Sequence, residues 1–299
     1  MNVDVAIIGS GPAGIQAGIH SSRKKADTVI VGRIENSAMF GTHVENHFGA
    51  SGKADGTELL NEGLDKAKQF GCKVINENII SAFREGDVFK LVTESDEEII
   101  AKAVVIASGV HRNKLGIPGE KEYFGRGVSY CASCDCNFYK GKTVVITGSE
   151  SEAAASAELM THYAKETYWV SDAVKASEVM VRKALDAGVK MVKDLVKSVN
   201  GVEKVTSIVL GNGSEIRTDG LFIELGGRSS ADIAMDLDVI PNTEGIIRVD
   251  GGFRTSASGV FACGDVTGKP WQVAKAVGEG AVAGINAADH ARGQKDVSQ

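Results

Sequence analysis

The amino-acid sequence predicts an α/β protein with two domains, and three observations support this prediction. The chain has 299 residues, of which 43% are hydrophobic, and this is enough for two cores of ordinary domain size. Short runs of valine and isoleucine alternate with turns rich in Gly, Asn and Asp. A strand followed by a glycine-containing turn and a helix starts twice, at Val3 and at Thr143. Such alternation is typical of parallel sheets covered by helices.

The composition and charge exclude several classes of protein. The formal net charge is -6 and both signs are distributed along the chain, so no basic surface for nucleic acid is predicted. The longest apolar runs, such as 103–107 and 143–146, are strand-sized and far shorter than a membrane helix. The N-terminus enters the first strand almost at once, without an export signal. We therefore expect a cytoplasmic protein that binds neither nucleic acid nor membrane.

The first βαβ unit occupies the N-terminus. An apolar strand is predicted at 3–8, the turn Gly-Ser-Gly-Pro-Ala-Gly at 9–14, and a β-branched strand at 28–31. In this kind of turn the first glycine permits a sharp bend, the second admits a pyrophosphate, and the third lets helix and strand pack closely. The following helix offers free N–H groups to phosphate. The turn therefore predicts dinucleotide binding, although Val31 is followed by Gly32 rather than by the usual ribose-binding acid.

Two polar stretches predict the boundaries of an inserted domain. Runs at 73–80, 89–93 and 103–107 predict a small antiparallel section that returns to the first sheet. A boundary is expected near Asn113, and a second at Gly245 after Pro-Asn-Thr-Glu. The sequence thus predicts two Rossmann-like three-layer domains, a discontinuous one at 1–113 and 246–299, and an inserted one at 114–245.

A strand near the C-terminus ends in a glycine and an acid. Residues 259–263 are mostly apolar and run into Gly264 and Asp265. An aspartate in this position can bond the hydroxyls of a ribityl chain, but it can equally be a turn residue. Taken with the first glycine turn, it favours FAD as the bound cofactor.

Two of the five cysteines, Cys131 and Cys134, are separated by Ala-Ser. This spacing allows a small disulfide ring at the start of a predicted helix, a position that lowers the pKa of a thiol. Asp135 is a candidate proton donor or acceptor, or alternatively a helix cap. Cys136 is interpreted as a bystander. The remaining cysteines stand alone and the six histidines lack convincing ligand spacing, so no metal is predicted.

The motifs in this order resemble those of the low-molecular-weight thioredoxin reductases over nearly the whole chain. The matching segments are 9–14, Val44-Glu45-Asn46, Ala107-Ser108-Gly109, 125–131, Cys134-Asp135 and Gly264-Asp265. The resemblance implies that FAD lies against Gly9, Gly11, Pro12, Ala13, Gly14, Asn46, Ala107, Gly109, Gly264, Asp265, Trp271, Gln272 and Val273. It also implies that Cys134 faces the flavin, that Cys131 attacks the disulfide of thioredoxin, and that the protein is a homodimer.

The chain departs from the NADPH-using members at the second glycine turn. Residues 147–153 read Thr-Gly-Ser-Glu-Ser-Glu-Ala, and no His-Arg-Arg cluster follows the strand at 167–170. A glutamate about 5 Å from a phosphate costs about 3 kcal/mol at an effective dielectric constant near 20. Glu150 and Glu152 are therefore expected to oppose a nucleotide phosphate. Together with Trp271 near the C-terminus, this pattern resembles the pyridine-nucleotide-independent branch, whose members accept electrons from reduced ferredoxin or a deazaflavin.

The energetics allow ferredoxin as the donor. The reduction potential of plant-type iron–sulfur clusters is about -400 mV and that of thioredoxin is about -270 mV. Transfer of two electrons from ferredoxin to thioredoxin therefore releases roughly 6 kcal/mol. The leading hypothesis is a flavin-dependent disulfide oxidoreductase that carries electrons from ferredoxin to thioredoxin. Two alternatives stay open: a thioredoxin reductase that uses NAD(P)H or a deazaflavin, and a flavin-bearing redox sensor without catalytic activity.

Overall fold

The computed structural model describes residues 1–50, 52, 54–110, 114–130, 132–226 and 229–293. Its contacts divide the chain into two compact units, Met1–His111 with Ser229–Gln299, and Arg112–Arg228. The sequence predicts junctions at 113 and 245, and the second junction of the structure lies earlier than that, at 228.

The first unit begins with a mixed sheet. Its elements are β1 (Asn2–Ile8), α1 (Pro12–Arg23), β2 (Thr28–Val31), β3 (His43–Val44), β4 (Ala54–Asp55), α2 (Gly56–Gln69), β5 (Lys73–Ile75), β6 (Ile79–Glu85), β7 (Val88–Thr93) and β8 (Glu98–Ile106). In the mixed sheet the strand order is β5-β2-β1-β8-β7-β6, and β3 and β4 pair in a separate two-stranded sheet. Strands β5, β2, β1 and β8 are parallel to one another, whereas β7 and β6 are antiparallel additions beside β8. The predicted antiparallel section that returns to the parallel sheet is therefore confirmed.

The second unit repeats this plan at a smaller size. Its elements are β9 (Val128–Ser129), α3 (Ala132–Asp135), β10 (Thr143–Thr147), α4 (Ser151–Thr161), β11 (Glu166–Val170), α5 (Glu178–Asp186), β12 (Lys190–Val192), β13 (Val196–Gly201), β14 (Val205–Leu210), β15 (Glu215–Arg217) and β16 (Gly220–Ile223). A parallel sheet has the order β12-β11-β10-β16-β9, and β13, β14 and β15 form an antiparallel sheet. The α/β fold class with two Rossmann-like sheets is thus confirmed.

The chain then returns to the first unit through α6 (Ser230–Asp236), β17 (Val260–Ala262) and α7 (Val273–Ala291). Helix α6 contacts β6 and β8, and Ile233 and Ala234 are buried in the core beside that sheet. Leu237 and Val239 are buried in the same core. Burial of these side chains explains why the junction precedes α6. The polar run that ends at Gly245 is a surface turn within the first unit rather than a domain boundary.

Helices α1 and α7 cross at very short distance, because small residues face each other. A Cβ atom added to Gly280 would lie 2.2 Å from the carbonyl oxygen of Ala13. One added to Gly284 would lie 2.2 Å from that of Ala17. Neither α7 nor any other helix of the described residues is long and apolar enough to cross a membrane.

We expect Gly284→Ala to lower the free energy of unfolding by about 1–3 kcal/mol, because its methyl group would meet a backbone oxygen that cannot move cheaply. Gly278→Ala, in the same helix, is the matched control, since a Cβ there meets no described atom within 4 Å. Because alanine has a better helix propensity than glycine, Gly278→Ala should stabilise the protein by up to about 1 kcal/mol. Denaturant unfolding of both variants measures the difference, and equal effects would contradict the close helix contact.

Candidate functional site

The first glycine turn joins β1 to α1 and lies directly against the end of β8. Gly9 has a φ of 116°, and a Cβ there would lie 2.4 Å from the carbonyl oxygen of Ala107. A Cβ at Gly14 would lie 1.8 Å from the carbonyl oxygen of Gly9. The structure therefore brings together Gly9, Gly14 and Ala107, three of the residues that the resemblance assigns to cofactor binding. Gly11, by contrast, has only Ser37 side-chain atoms near its Cβ position, at 3.4 Å and beyond.

The start of α1 has the geometry that a pyrophosphate needs. Gly11 is the extended N-cap residue and carries no side chain, and Pro12 occupies the start of the helix. The first amide groups of α1 are thus left to an external acceptor. Ser10 is 2% exposed, and its hydroxyl has no hydrogen-bond partner among the described residues. The hydroxyl of Ser108 likewise lacks one within the described chain. Buried hydroxyl groups of this kind fit a polar cofactor bound at the turn.

The loop after β17 closes on the same turn. Gly264 has a φ of 83°, and a Cβ there would lie 2.8 Å from the Cβ of Ala13. Asp265 follows in a short 3-10 helix, Gly264–Thr267, and is partly exposed. The predicted residues Ala13, Gly264 and Asp265 are therefore adjacent to one another in the first unit.

Lys275 and Glu279 of α7, which are not among the predicted site residues, hold this loop. The Glu279 carboxylate accepts a hydrogen bond from the Gly264 amide at 2.8 Å. The Lys275 ammonium group donates to the Gly264 carbonyl at 2.9 Å and to the Thr267 hydroxyl at 3.0 Å. The two side chains also form a 3.0 Å ion pair and are only 18% and 14% exposed. Their spacing of four residues on a helix was the signal available in the sequence.

Two further predicted residues contact each other although they are 226 positions apart. The Asn46 side-chain amide donates to the side-chain oxygen of Gln272 at 2.9 Å. Trp271 is 54% exposed, and the Lys269 ammonium group lies 5.2 Å from the centre of its ring. Val273 is the first residue of α7. This face of the first unit thus presents an exposed indole beside a polar pair.

The Cys-Ala-Ser-Cys segment is described only in part. Cys131 lies outside the described residues, and Cys134 lies in α3 with its side chain outside them. The intervening Ala132 is buried, and its amide donates to a carboxylate oxygen of Glu224 at 3.2 Å. Asp135 ends α3 and is partly exposed. Burial and then the charge of Asp135 raise the pKa of Tyr139.

Tyr130, immediately before Cys131, is held by a buried acid. The Tyr130 hydroxyl donates to the Glu120 carboxylate at 2.7 Å. This carboxylate also accepts hydrogen bonds from the backbone amides of 115, 116 and 117, the last at 3.3 Å. Glu120 therefore fixes the start of the second unit to the residue before the cysteine pair.

The other cysteines are buried. Burial raises the pKa of the Cys72 thiol to about 11, and it raises the pKa of Cys263 as well. Both are consistent with small apolar core residues. Cys136 is also buried, and a hydrogen bond with it raises the pKa of Tyr163. Among the described residues, no cluster of His, Cys, Asp or Glu has the geometry of a metal site.

The second glycine turn is closed by the chain itself. Gly148 has a φ of 155°, and a Cβ there would lie 1.9 Å from the carbonyl oxygen of Glu224. The loop after β11 folds onto the turn, because the amides of Lys175 and Ala176 donate to the Ser149 carbonyl at 2.7 and 3.0 Å. The Ser177 amide donates to the Ser151 hydroxyl at 2.9 Å. These bonds hold the loop after β11 against the start of α4.

The two glutamates of this turn differ in environment. Glu150 is the N-cap residue of α4, and its carboxylate lies 4.0 Å from the Lys175 ammonium group, which offsets part of its charge. Glu152 is only 1% exposed. The sequence predicts that both oppose a nucleotide phosphate. In the structure Glu150 is partly exposed and Glu152 is buried.

The indole of Trp169 lies beneath the same turn. It is fully buried in β11 and donates to the Gly148 carbonyl at 2.8 Å. A large aromatic side chain therefore supports the turn from within the second unit.

Comparison with known proteins agrees with this architecture. Residues 3–280 match the family described as pyridine nucleotide-disulphide oxidoreductase. The thioredoxin reductase of Bacillus subtilis is 36% identical over 293 residues, which cover 94% of this chain and 92% of that protein. The atypical thioredoxin reductase TRi of Desulfovibrio vulgaris Hildenborough is 32% identical, with a TM-score of 0.86 over 98% of this chain and 99% of that one. A ferredoxin-flavin thioredoxin reductase of Clostridium acetobutylicum is 30% identical, with a TM-score of 0.69 over 96% and 97%.

Members of this family bind FAD, so the predicted cofactor is confirmed. The open first turn, with its unsatisfied buried hydroxyl groups, fits that cofactor. A match over almost the entire chain, supported by relatives above 30% identity, establishes the assignment. The chain belongs to the pyridine nucleotide-disulphide oxidoreductase family.

Proposed function

We propose that this protein is a thioredoxin reductase that receives electrons from reduced ferredoxin through FAD, and does not use NADPH. Curated relatives named thioredoxin reductase support the overall activity. The observation that carries the choice of donor is the loop after β11, whose amides bond to Ser149 and Ser151. A solved relative named ferredoxin-flavin thioredoxin reductase supports the same choice.

FAD is proposed to lie across the first unit. The turn at 9–14 would bind the pyrophosphate, since Gly11 leaves space and α1 offers free amides. Asp265 would accept hydrogen bonds from ribityl hydroxyl groups, and the Lys275–Glu279 pair would keep its loop in place. Asn46, Gln272 and Trp271 would contact the ring system. When bound, FAD supplies a carrier that accepts single electrons and passes them on in pairs.

The cysteine pair is proposed to carry the reaction with the protein substrate. Reduction of the Cys131–Cys134 disulfide takes up two electrons and two protons and yields two thiols. The Cys131 thiolate then attacks the disulfide of thioredoxin, which forms a mixed disulfide and releases one thioredoxin thiolate. Attack by Cys134 on Cys131 breaks the mixed disulfide, releases reduced thioredoxin and restores the starting disulfide. Asp135 is proposed to supply or accept the protons.

NADPH binding would require the second turn to change. A nucleotide phosphate at the start of α4 needs the amide groups of 148–151 and a cationic clamp. The loop at 175–177 is hydrogen-bonded to Ser149 and Ser151 of this turn, and the N-cap residue of α4 is a carboxylate, Glu150, where a phosphate would be repelled. In this region the charge of Lys175 is directed to Glu150 rather than to an incoming anion. Electron delivery through a protein donor avoids this turn entirely.

We expect reduced ferredoxin to bleach the bound flavin rapidly and stoichiometrically under anaerobic conditions, whereas NADPH and NADH at the same concentration should not. Stopped-flow absorbance of the flavin measures both reactions, and reduced deazaflavin serves as a positive control for flavin accessibility. Rapid bleaching by NADPH would overturn the choice of donor and leave the thioredoxin reductase activity intact.

We expect Cys131→Ser to abolish ferredoxin-driven thioredoxin reduction, because the attacking sulfur is lost. Flavin content and flavin reduction should stay unchanged. Asn137→Ser, at an exposed position nearby, is the control and should keep wild-type turnover. Insulin-coupled turnover measures the effect. If the wild-type protein is reduced by ferredoxin yet shows no turnover, the redox-sensor alternative is favoured instead.

We expect Lys275→Met to weaken FAD binding by roughly tenfold, since it removes charged hydrogen bonds to Gly264 and Thr267 worth about 1.5–3 kcal/mol. The apoprotein should keep its secondary structure. Lys66→Met on the surface of α2 is the matched control and should bind FAD normally. Fluorescence titration of the apoproteins with FAD gives the dissociation constants, and equal values would contradict a role for Lys275 in shaping the site.

A further inference from the structure

The segment after β2 lies beside the first glycine turn and differs from the usual pattern of a dinucleotide site. In such sites an acidic side chain near the end of the second strand binds the ribose hydroxyl groups of the adenosine. Here Gly32 follows the strand, and a Cβ there would lie 2.9 Å from the Ser10 amide nitrogen. The chain therefore leaves the sheet in contact with the turn, and the first side chain beyond that contact is Arg33.

Arg33 is held by a buried acid from a distant part of the first unit. Its guanidinium group donates through Nη2 to the carboxylate of Glu94, which follows β7 and has a side chain only 3% exposed. The other carboxylate oxygen of Glu94 accepts a hydrogen bond from the backbone amide of Asn78 at 3.1 Å. The Asn78 side chain accepts one from Asn36 at 3.0 Å. These contacts fix the segment after β2 and orient the guanidinium group.

Glu94 uses only part of the donor capacity of Arg33. A guanidinium group carries five N–H donors. Within the described chain, the hydrogen bond to Glu94 is the one that the Arg33 side chain makes. The same side chain remains 33% exposed. Glu94 thus compensates the charge of Arg33, while further N–H groups stay available to an external acceptor.

The order of the strands indicates which half of FAD Arg33 would meet. Strand β2 lies on one side of β1, whereas β17 lies on the other side, beyond β8. With the pyrophosphate at the turn after β1 and the ribityl chain at Asp265 after β17, the adenosine half extends towards β2. The segment that begins at Arg33 also reaches the start of α1, since the Ser37 hydroxyl oxygen is 3.4 Å from the Cβ position of Gly11.

We propose that Arg33 binds the adenosine half of FAD in place of the missing acid, and that Glu94 is a positioning residue that holds the guanidinium group there. The inference rests on the proposed placement of FAD in the first unit, but not on the electron donor or on thioredoxin. Glu35, the nearest carboxylate in the sequence, is exposed on the short helix Ile34–Asn36 and is the alternative contact that a test must exclude.

The test compares FAD with ADP, which contains the adenosine and the pyrophosphate but no flavin. Fluorescence titration of the apoprotein gives the dissociation constant of FAD, and competition against FAD gives that of ADP. We expect Arg33→Ala to raise both constants about tenfold, because a hydrogen bond from a charged group is lost. Lys275→Met, on the flavin side of the turn, should raise the FAD constant and leave the ADP constant unchanged.

Two further variants control for the alternative contact and for folding. Glu35→Gln should weaken the binding of neither ligand, and weaker ADP binding in this variant alone would overturn the inference. Arg33→Lys keeps a positive charge beside Glu94 but lacks the guanidinium fork, so it should fold and still weaken both ligands several-fold. An ADP constant that both Arg33 variants leave unchanged, or a wild-type apoprotein with which ADP does not compete, would also overturn the inference.

Glu94→Gln tests the positioning role separately. The new amide keeps an oxygen for the Asn78 backbone and loses the charge that holds Arg33. We expect a several-fold rise of the ADP constant in the otherwise wild-type protein and no further rise in the Arg33→Ala protein, because the two residues act through one contact. Equal rises in both proteins would contradict the positioning role.

These measurements use neither ferredoxin nor thioredoxin nor the cysteine pair. Their failure is therefore distinct from failure of the proposed function, which would appear as protein loaded with FAD that shows no turnover.

Discussion

The close approach of backbone to backbone at the first turn is the constraint on which the first unit depends. Gly14 lies so near the Gly9 carbonyl that a side chain cannot be placed between them, and a side chain at Gly9 would likewise meet the backbone of Ala107 after β8. This contact draws α1 onto the sheet and directs its N-terminus to the edge where β1, β8 and β17 end. The same packing continues through Ala13 to Gly264 and Gly280. A binding edge for a polar cofactor is therefore built from the smallest residues of the chain.

The two glycine turns have the same strand-turn-helix arrangement but differ in the hydrogen-bond partners of their polar groups. At the first turn Gly11 leaves space, and buried hydroxyl groups nearby lack partners within the described chain. At the second turn the loop after β11 supplies amide groups to the backbone, and an indole supports it from below. A buried hydroxyl group without a partner gains a hydrogen bond from a polar cofactor, whereas the second turn is held by hydrogen bonds to a neighbouring loop. The difference follows from local hydrogen bonding rather than from the number of glycines.

The sequence predicted the strands and the first turn well, because these depend on short-range patterns of apolar residues and glycine. It also predicted several residues that the structure brings together, such as Asn46 and Gln272, through family resemblance. It did not predict Glu224 or Glu120, whose roles depend on contacts between distant segments. The misplaced junction at 245 has a similar cause, since the burial of α6 against β6 cannot be read from a polar turn downstream. Glu152 was expected to oppose a phosphate at the second turn, and its burial could not be predicted because a helix with so many small residues has little amphipathic pattern.

The chain contains two tryptophans, and the fold places them in opposite circumstances. Trp169 is sealed in the interior of the second unit, whereas Trp271 is more than half exposed on the first. Their emission should differ in colour and in susceptibility to dissolved quenchers, so each unit carries its own optical label. Unfolding of either unit, or occupation of the face beside Trp271, can consequently be followed in the native chain without an added dye.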